Sequence, residues 1–252
     1  MKRSKVIKVI LMMLLAIGLV VYVVCASLFL SRPDEGEKCQ AVELIVEQGA
    51  DSPFMDKEEV ETILKNARIY PTGMLMKDVN TKKIEETLRK NEFIAEAECY
   101  KSANGKLCIN VKQRIPVIYV SPDEKDGYFV DAKGKIIPNR NCTMDLVVAS
   151  GNIDNKYAST KLAEFGCYLQ KNEFWNRQIE QIYVTKNKKG KRVVELIPRV
   201  GEQIVYLGPL DDFESKLRRL RLFYTKAIDA VGWEKYARVN LEYDNQIICT
   251  KR

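Results

Sequence analysis

The sequence predicts an α+β chain in which one N-terminal transmembrane helix precedes two small mixed domains. Three observations carry this. Val9–Leu30 is a stretch of 22 residues without a charge. Residues 41–113 switch between period-two and helical apolar patterns in the order strand, helix, helix, strand, strand. Residues 127–248 hold several short strand patterns interrupted by two helical ones.

The uncharged stretch comes first. As a helix, 22 residues rise roughly 33 Å, the thickness of a bilayer core. Lys2, Arg3, Lys5 and Lys8 precede it with no acidic partner, and the mixed SRPDEGEK follows it. The excess of positive charge on the N-terminal side puts residues 1–8 in the cytoplasm and everything after Leu30 outside. Val24-Cys25-Ala26 also fits a small-residue cleavage site, which would release a soluble form starting near Ser27. The length of the apolar run favours an uncleaved anchor over residues 9–30. Residues 31–40, with Pro33 and Gly36, read as a linker.

The first unit spans 41–120. Val42, Leu44 and Val46 alternate as in a strand. Asp56 is placed to cap a helix, with Glu59 three residues on and Val60, Ile63, Leu64 and Ala67 on one face. After a loop with Pro71 and Gly73, Asn80 caps a second helix. Val79 and Ile84 are placed to staple its start, and Ile84 and Leu88 face inward. Glu85–Arg89 and Glu86–Lys90 are spaced as ion pairs on its outer face. A hairpin follows, turning at Ala103-Asn104-Gly105 and pairing Cys99 with Ile109. That register turns Cys108 away from Cys99, so no bridge between them is expected. Both helices can cover one face of a small sheet.

The second unit spans 121–252. GYFVDAKGKIIP (127–138) reads as a hairpin turning at Ala132-Lys133-Gly134, and 145–150 as a further strand. Lys156–Lys171 is helical, with Ala158, Leu162, Phe165 and Leu169 on one face. Residues 178–185, 191–197 and 203–206 are strands. A last helix has an aspartate cap at Asp211-Asp212 and a stripe of Phe213, Leu217, Leu220, Tyr224 and Ile228, with Gly232 able to end it. Residues 237–250 close the chain as a strand pair, or one bent strand, around Asp244-Asn245.

Composition argues against chemistry. The chain has no histidine, which excludes Ser/His/Asp triads, Cys/His pairs and His-ligated metals. Seven cysteines show no CxxC spacing, so neither a zinc nor a redox site is expected. Without the four basic residues of the tail, 37 basic face 34 acidic residues, which gives no reason to expect nucleic acid. The cluster KNKKGKR (186–192) lacks interleaved aromatics and reads as a solvated hairpin tip. Arg218, Arg219 and Arg221 read as a solvated helix face, or as a contact to acidic partners or lipid head groups. No catalytic residue, cofactor or metal site is predicted, and Trp175 and Trp233 read as core or interface.

Four segments together resemble a known family: the basic tail with its apolar span, the unit ending in QRIPV (113–117), GYFVDAKGKIIP (127–138), and LGPLDDFESKLRRL (207–220) with VNLEYDNQII (239–248). They resemble the bacterial cell-division family FtsQ, called DivIB in Gram-positive bacteria. The resemblance implies a POTRA domain (β-α-α-β-β) followed by a β domain. It implies a non-enzymatic scaffold of the septal complex that binds FtsB-like and FtsL-like proteins and helps regulate septal peptidoglycan synthesis. Gln113-Arg114-Ile115-Pro116 stands where the family usually has Glu-Arg-x-Pro. The eight-residue tail is shorter than in many members, which speaks against recruitment through it, and an end directly after the last strand points to the inner membrane of a Gram-negative organism, single-pass with its C-terminal region periplasmic. Two rival functions are a POTRA-bearing scaffold of outer-membrane assembly or secretion, and an anchored periplasmic enzyme.

The partner surface is expected on the closing strand: Leu241, Glu242, Tyr243, Asp244, Asn245, Gln246, Ile247 and Ile248. A terminal strand is often an edge strand, whose unpaired N–H and C=O groups accept an added strand. Leu241, Tyr243 and Ile247 would be the anchors. The alternative is that these side chains only pack into their own core. The resemblance favours binding, since the family uses this region to hold FtsB.

Overall fold

A computed structural model describes residues 2–30, 36–47, 54–102, 104–123, 126–140, 142, 144–228 and 232–252; the side chains of 2–10, 28–30, 227 and 228 are not among what it describes. The expectations for Ser31–Glu35, for Ala103 and for the side chain of Ile228 therefore lie outside the described residues.

The chain opens with helix α1 (Lys2–Leu30). Its described side chains, 11–27, are uncharged and, apart from Ala26, exposed. Among the described residues no helix is long and apolar enough to cross a membrane. Two compact units follow from the contact pattern: Met1–Glu47 with Asp56–Lys112, and Gln48–Met55 with Gln113–Arg252.

In the first unit, residues 36–40 are less linker-like than the sequence suggests. Cys39 is buried, its N–H donates to the Met74 carbonyl at 2.8 Å, and Lys38 forms a bridge with Leu75. Strand β1 (Ala41–Glu47) buries Leu44. In α2 (Lys57–Asn66) the Asp56 carboxylate accepts the Glu59 N–H at 2.8 Å, and Val60 and Leu64 are buried. The helix stops at Asn66, which leaves Ala67 exposed rather than on the apolar face. Asn80 caps α3 (Thr81–Arg89) through the Lys83 N–H at 2.9 Å, and Val79, Ile84 and Leu88 are buried.

Strands β2 (Ile94–Lys101) and β3 (Lys106–Gln113) complete a sheet of order β1-β3-β2, with β1 parallel to β3. The Ser102 N–H donates to the Lys106 carbonyl at 2.8 Å, which fits the register that sets Cys99 opposite Ile109. Ile109 pairs with Leu44 and is fully buried, whereas Cys108 pairs with Glu43 and lies 4.0 Å from its carboxylate on the other face. Both thiols are free. Burial pushes the Cys99 thiol up to about 12, with the Glu85 carboxylate adding to the shift.

The second unit is built, among the described residues, on a nine-stranded sheet of order β12-β11-β10-β9-β8-β7-β4-β5-β6. The strands are β4 (Pro116–Pro122), β5 (Tyr128–Asp131), β6 (Ile136–Pro138), β7 (Val148–Gly151), β8 (Ile179–Lys186), β9 (Arg192–Pro198), β10 (Ile204–Gly208), β11 (Tyr236–Asn240) and β12 (Ile248–Lys251). Since β4 belongs to this sheet, the expected boundary at 120 falls inside a strand, and the second sheet begins at Pro116. The sheet is mixed: β4–β7, β7–β8 and β10–β11 are parallel, the other pairs antiparallel.

One face of the sheet carries the helices. Short α4 (Asn155–Tyr157) runs through a π turn (Ala158–Leu162) into α5 (Ala163–Lys171), and Ala158, Leu162, Phe165 and Leu169 are buried as the spacing predicts. The β5–β6 turn lies against this π turn. Gly134 has φ +76, and a Cβ there would strike the Ser159 carbonyl. Helix α6 (Glu173–Gln178), capped by Asn172, was not read from the sequence; it is too short to show a period, and it seats Trp175 in the core. Helix α7 (Phe213–Phe223) buries Phe213, Leu217 and Leu220 and passes through a π turn that buries Tyr224. Its expected cap is a correction. Asp212 sits at the N-cap with φ 54 and makes no capping side-chain bond, while Asp211 pairs with Lys191 at 3.0 Å and Lys161 at 3.4 Å.

Candidate partner-binding edge

Strand β12 is an edge of the nine-stranded sheet, hydrogen-bonded to β11. Its register sets Ile248 opposite Asn240, Cys249 opposite Val239 and Thr250 opposite Arg238. Cys249 turns inward against the core with Val239, and burial raises its thiol pKa. Ile248 and Thr250 are exposed. The rows of the sheet then place Ile248 in line with Asn240, Tyr206, Glu195 and Tyr183. On this face Arg238 bonds to Glu195, and its guanidinium lies 4.9 Å from the Tyr206 ring centroid.

The eight predicted residues divide. Leu241–Ile247 is the connection between β11 and β12, and only Ile248 belongs to the edge strand itself. Leu241 is 0% exposed, and its N–H donates to the Tyr206 carbonyl at 2.9 Å. It is a core residue with nothing to offer a partner. Ile247 is half-buried against the same core. Tyr243 is 50% exposed and Ile248 45%, which leaves these two as the large apolar side chains available to a partner in this segment. Glu242, Asp244, Asn245 and Gln246 are exposed, and Asn245 takes a left-handed turn conformation at φ 60. The Glu242 N–H donates to the Asn240 side chain at 2.8 Å.

Arg219 of α7 holds this connection in place. Its guanidinium donates to the carbonyls of Leu241 at 3.2 Å, Gln246 at 3.1 Å and Tyr243. The planar fork of donors suits a curved run of carbonyls in a way a lysine would not. Arg219 is therefore no solvated cation. Nothing in the sequence separates it from Arg218, so pattern reading missed it. Arg221 is likewise engaged, 4.8 Å over the Phe174 ring. The KNKKGKR tip is a hairpin as expected, but Lys191 reaches Asp211, and Arg192 reaches Asp154 at 2.7 Å. Lys191 first, then Lys161, holds the Asp211 carboxyl below the usual range.

Among the described residues, no group of three or more Cys, Asp or Glu side chains is arranged to hold a metal, and none of the cysteines forms a disulfide. Three features meet at this end of the sheet: an edge strand, the exposed apolar side chains of Tyr243 and Ile248, and a loop held by Arg219.

A β-α-α-β-β unit followed by a mixed sheet with helices defines a two-unit α+β protein. Residues 37–112 match the POTRA-like domain, and residues 115–250 match the family described as FtsQ/DivIB, C-terminal related. That second match covers more than half of the chain, which belongs to the FtsQ/DivIB family. No curated protein matches it. Membership ties the chain to cell division and to interactions with other proteins of the division machinery.

Proposed function

We propose that this chain is a non-enzymatic scaffold of the septal complex, anchored in the cytoplasmic membrane with both folded units outside the cytoplasm. It binds FtsB-like and FtsL-like proteins and helps regulate septal peptidoglycan synthesis. The anchor reading rests on the sequence: 22 uncharged residues, Val9–Leu30, preceded by four basic ones. The partner reading rests on one observation above the rest. β12 is an edge whose ladder is continued by no strand among the described residues; it begins at the exposed Ile248, and the exposed Tyr243 lies in the turn before it. A partner segment adds there as a further strand, with main-chain bonds supplying affinity and alternate side chains specificity.

On this reading the contact lies toward the C-terminal end of the segment expected from sequence. The binding strand is Ile248–Lys251, flanked by Tyr243, and Leu241 drops out as an anchor because it is core. Truncation after Ile247 removes β12 and leaves Leu241 in place. A full-length fluorescent fusion imaged in dividing cells should concentrate at the septum, and the truncated chain should lose capture of the FtsB-like partner from envelope extract. Uniform membrane fluorescence would overturn the division role, and undiminished capture by the truncated chain would overturn the site.

A further inference from the structure

We propose that the Glu85–Arg89 pair is a latch that closes the β2 edge of the POTRA-like sheet to strand addition by a second copy of this chain. β2 is an edge of its sheet, with β3 as its neighbour. An edge strand presents the N–H and C=O of every second residue away from its neighbour, and two such groups here already have partners. Arg89 donates to the Ala97 carbonyl at 2.7 Å, and the Cys99 N–H donates to Glu85 Oε1 at 2.9 Å. Glu85 Oε2 and Arg89 then pair at 3.2 Å, closing the ring.

The pattern matters more than the count. A parallel strand bonds through single residues, each donating to the carbonyl of one residue and accepting the N–H two positions on. Glu85 and Arg89 supply that donor and acceptor to Ala97 and Cys99 from side chains. They occupy the place that one residue of an added strand would take. An ordinary i,i+4 pair points into water, yet the Glu85 side chain is only 23% exposed. Buried Ile84 and Leu88 seat α3 so that Glu85 and Arg89 reach the edge. A second copy adding through its own β2 by a two-fold relation would pair antiparallel and would need the same Ala97 carbonyl and Cys99 N–H, so the latch excludes it as well. The consequence is selectivity between edges: the β2 edge is shut where β12 is open.

The test uses the full-length chain in detergent micelles, with a photocrosslinking residue at exposed Tyr100 and amide exchange read at Cys99. Glu85→Ala with Arg89→Ala should speed Cys99 exchange by about tenfold, the loss of roughly one hydrogen bond. It should also yield chain-to-chain adducts that the parent lacks. Slow exchange kept at Leu107 and Val111 reports that the unit is folded. Glu85→Gln, which retains an acceptor for the Cys99 N–H, should exchange like the parent and give no adducts, and it keeps the idea testable if the double variant unfolds. Unchanged Cys99 exchange in the folded double variant, faster exchange without adducts, or adducts from Glu85→Gln at the level of the double variant would each overturn the latch.

Discussion

The Arg219 guanidinium on α7 donates to the Leu241 carbonyl across 3.2 Å, and from there it spans the whole turn that leads into β12. A single side chain thus ties the helix layer to the edge on which partner binding is proposed. Arg219→Ala removes the donors to three carbonyls of this turn. We expect a loss of about 1–3 kcal/mol in stability and a several-fold weaker capture of partner, measured by denaturant unfolding and by pulldown. Arg219→Lys should recover little of either, because one ammonium cannot serve three separated carbonyls.

Arg114 and Asp131 form a buried ion pair at 2.8 Å, with side chains 13% and 7% exposed. The second Asp131 oxygen accepts the N–H groups of Lys133 and Lys135, which shapes the β5–β6 turn. Arg114→Ala leaves that carboxylate buried without its countercharge. The expected cost is about 3 kcal/mol in urea unfolding of the second unit. Asp131→Asn, which keeps an acceptor for both amides, should cost less.

Gln113, the departure from the family's usual glutamate, explains itself in this chain. Its side chain accepts the Met55 N–H at 3.1 Å and donates to the Met55 carbonyl at 2.8 Å, a reciprocal pair that an ionised glutamate cannot make. Gln113→Glu therefore sets a buried carboxylate against a carbonyl. A destabilisation of about 1–3 kcal/mol at neutral pH is expected, shrinking as the pH falls and the acid protonates, in thermal melts from pH 7 to 4.

Asp211 supplies a pH signature. Its folded pKa lies below the ordinary value of 3.8, first because of the hydrogen bond from Lys191. A depressed carboxylate stabilises the fold above its unfolded pKa, and that contribution fades as pH falls through the folded pKa. Lys191→Met should raise the Asp211 pKa seen by carbon-detected NMR. The parent should exceed the variant by no more than ~1 kcal/mol at pH 7, since the pair is exposed, and by nothing near pH 2.

Most of this fold is legible in the residues because local signals and packing agree. Asp56 and Asn80 both cap the helices their spacing predicts, and the stripes of α3, α5 and α7 are the ones buried. What pattern reading misses depends on neighbours distant in sequence. Asp212 has the chemistry of a cap, but its left-handed backbone aims the side chain elsewhere. Glu85 and Arg89 have the spacing of a surface pair, and only the folding of β2 beside α3 turns them onto the strand edge. The strand pair around Asp244-Asn245 is present, but the turn between its strands, held by Arg219, takes in 241–247, so the edge strand is Ile248–Lys251 rather than a strand from Leu241.

The most direct measurement is photocrosslinking in dividing cells with the full-length chain, placing the reactive residue at Ile248 or Thr250 on β12 and, for contrast, at Tyr183 on β8. Strand addition at β12 predicts adducts with an FtsB-like protein from both β12 positions and none from Tyr183. Adducts from Tyr183 with none from Ile248 or Thr250 would contradict it, and would move the partner from the strand edge to the open face of the sheet.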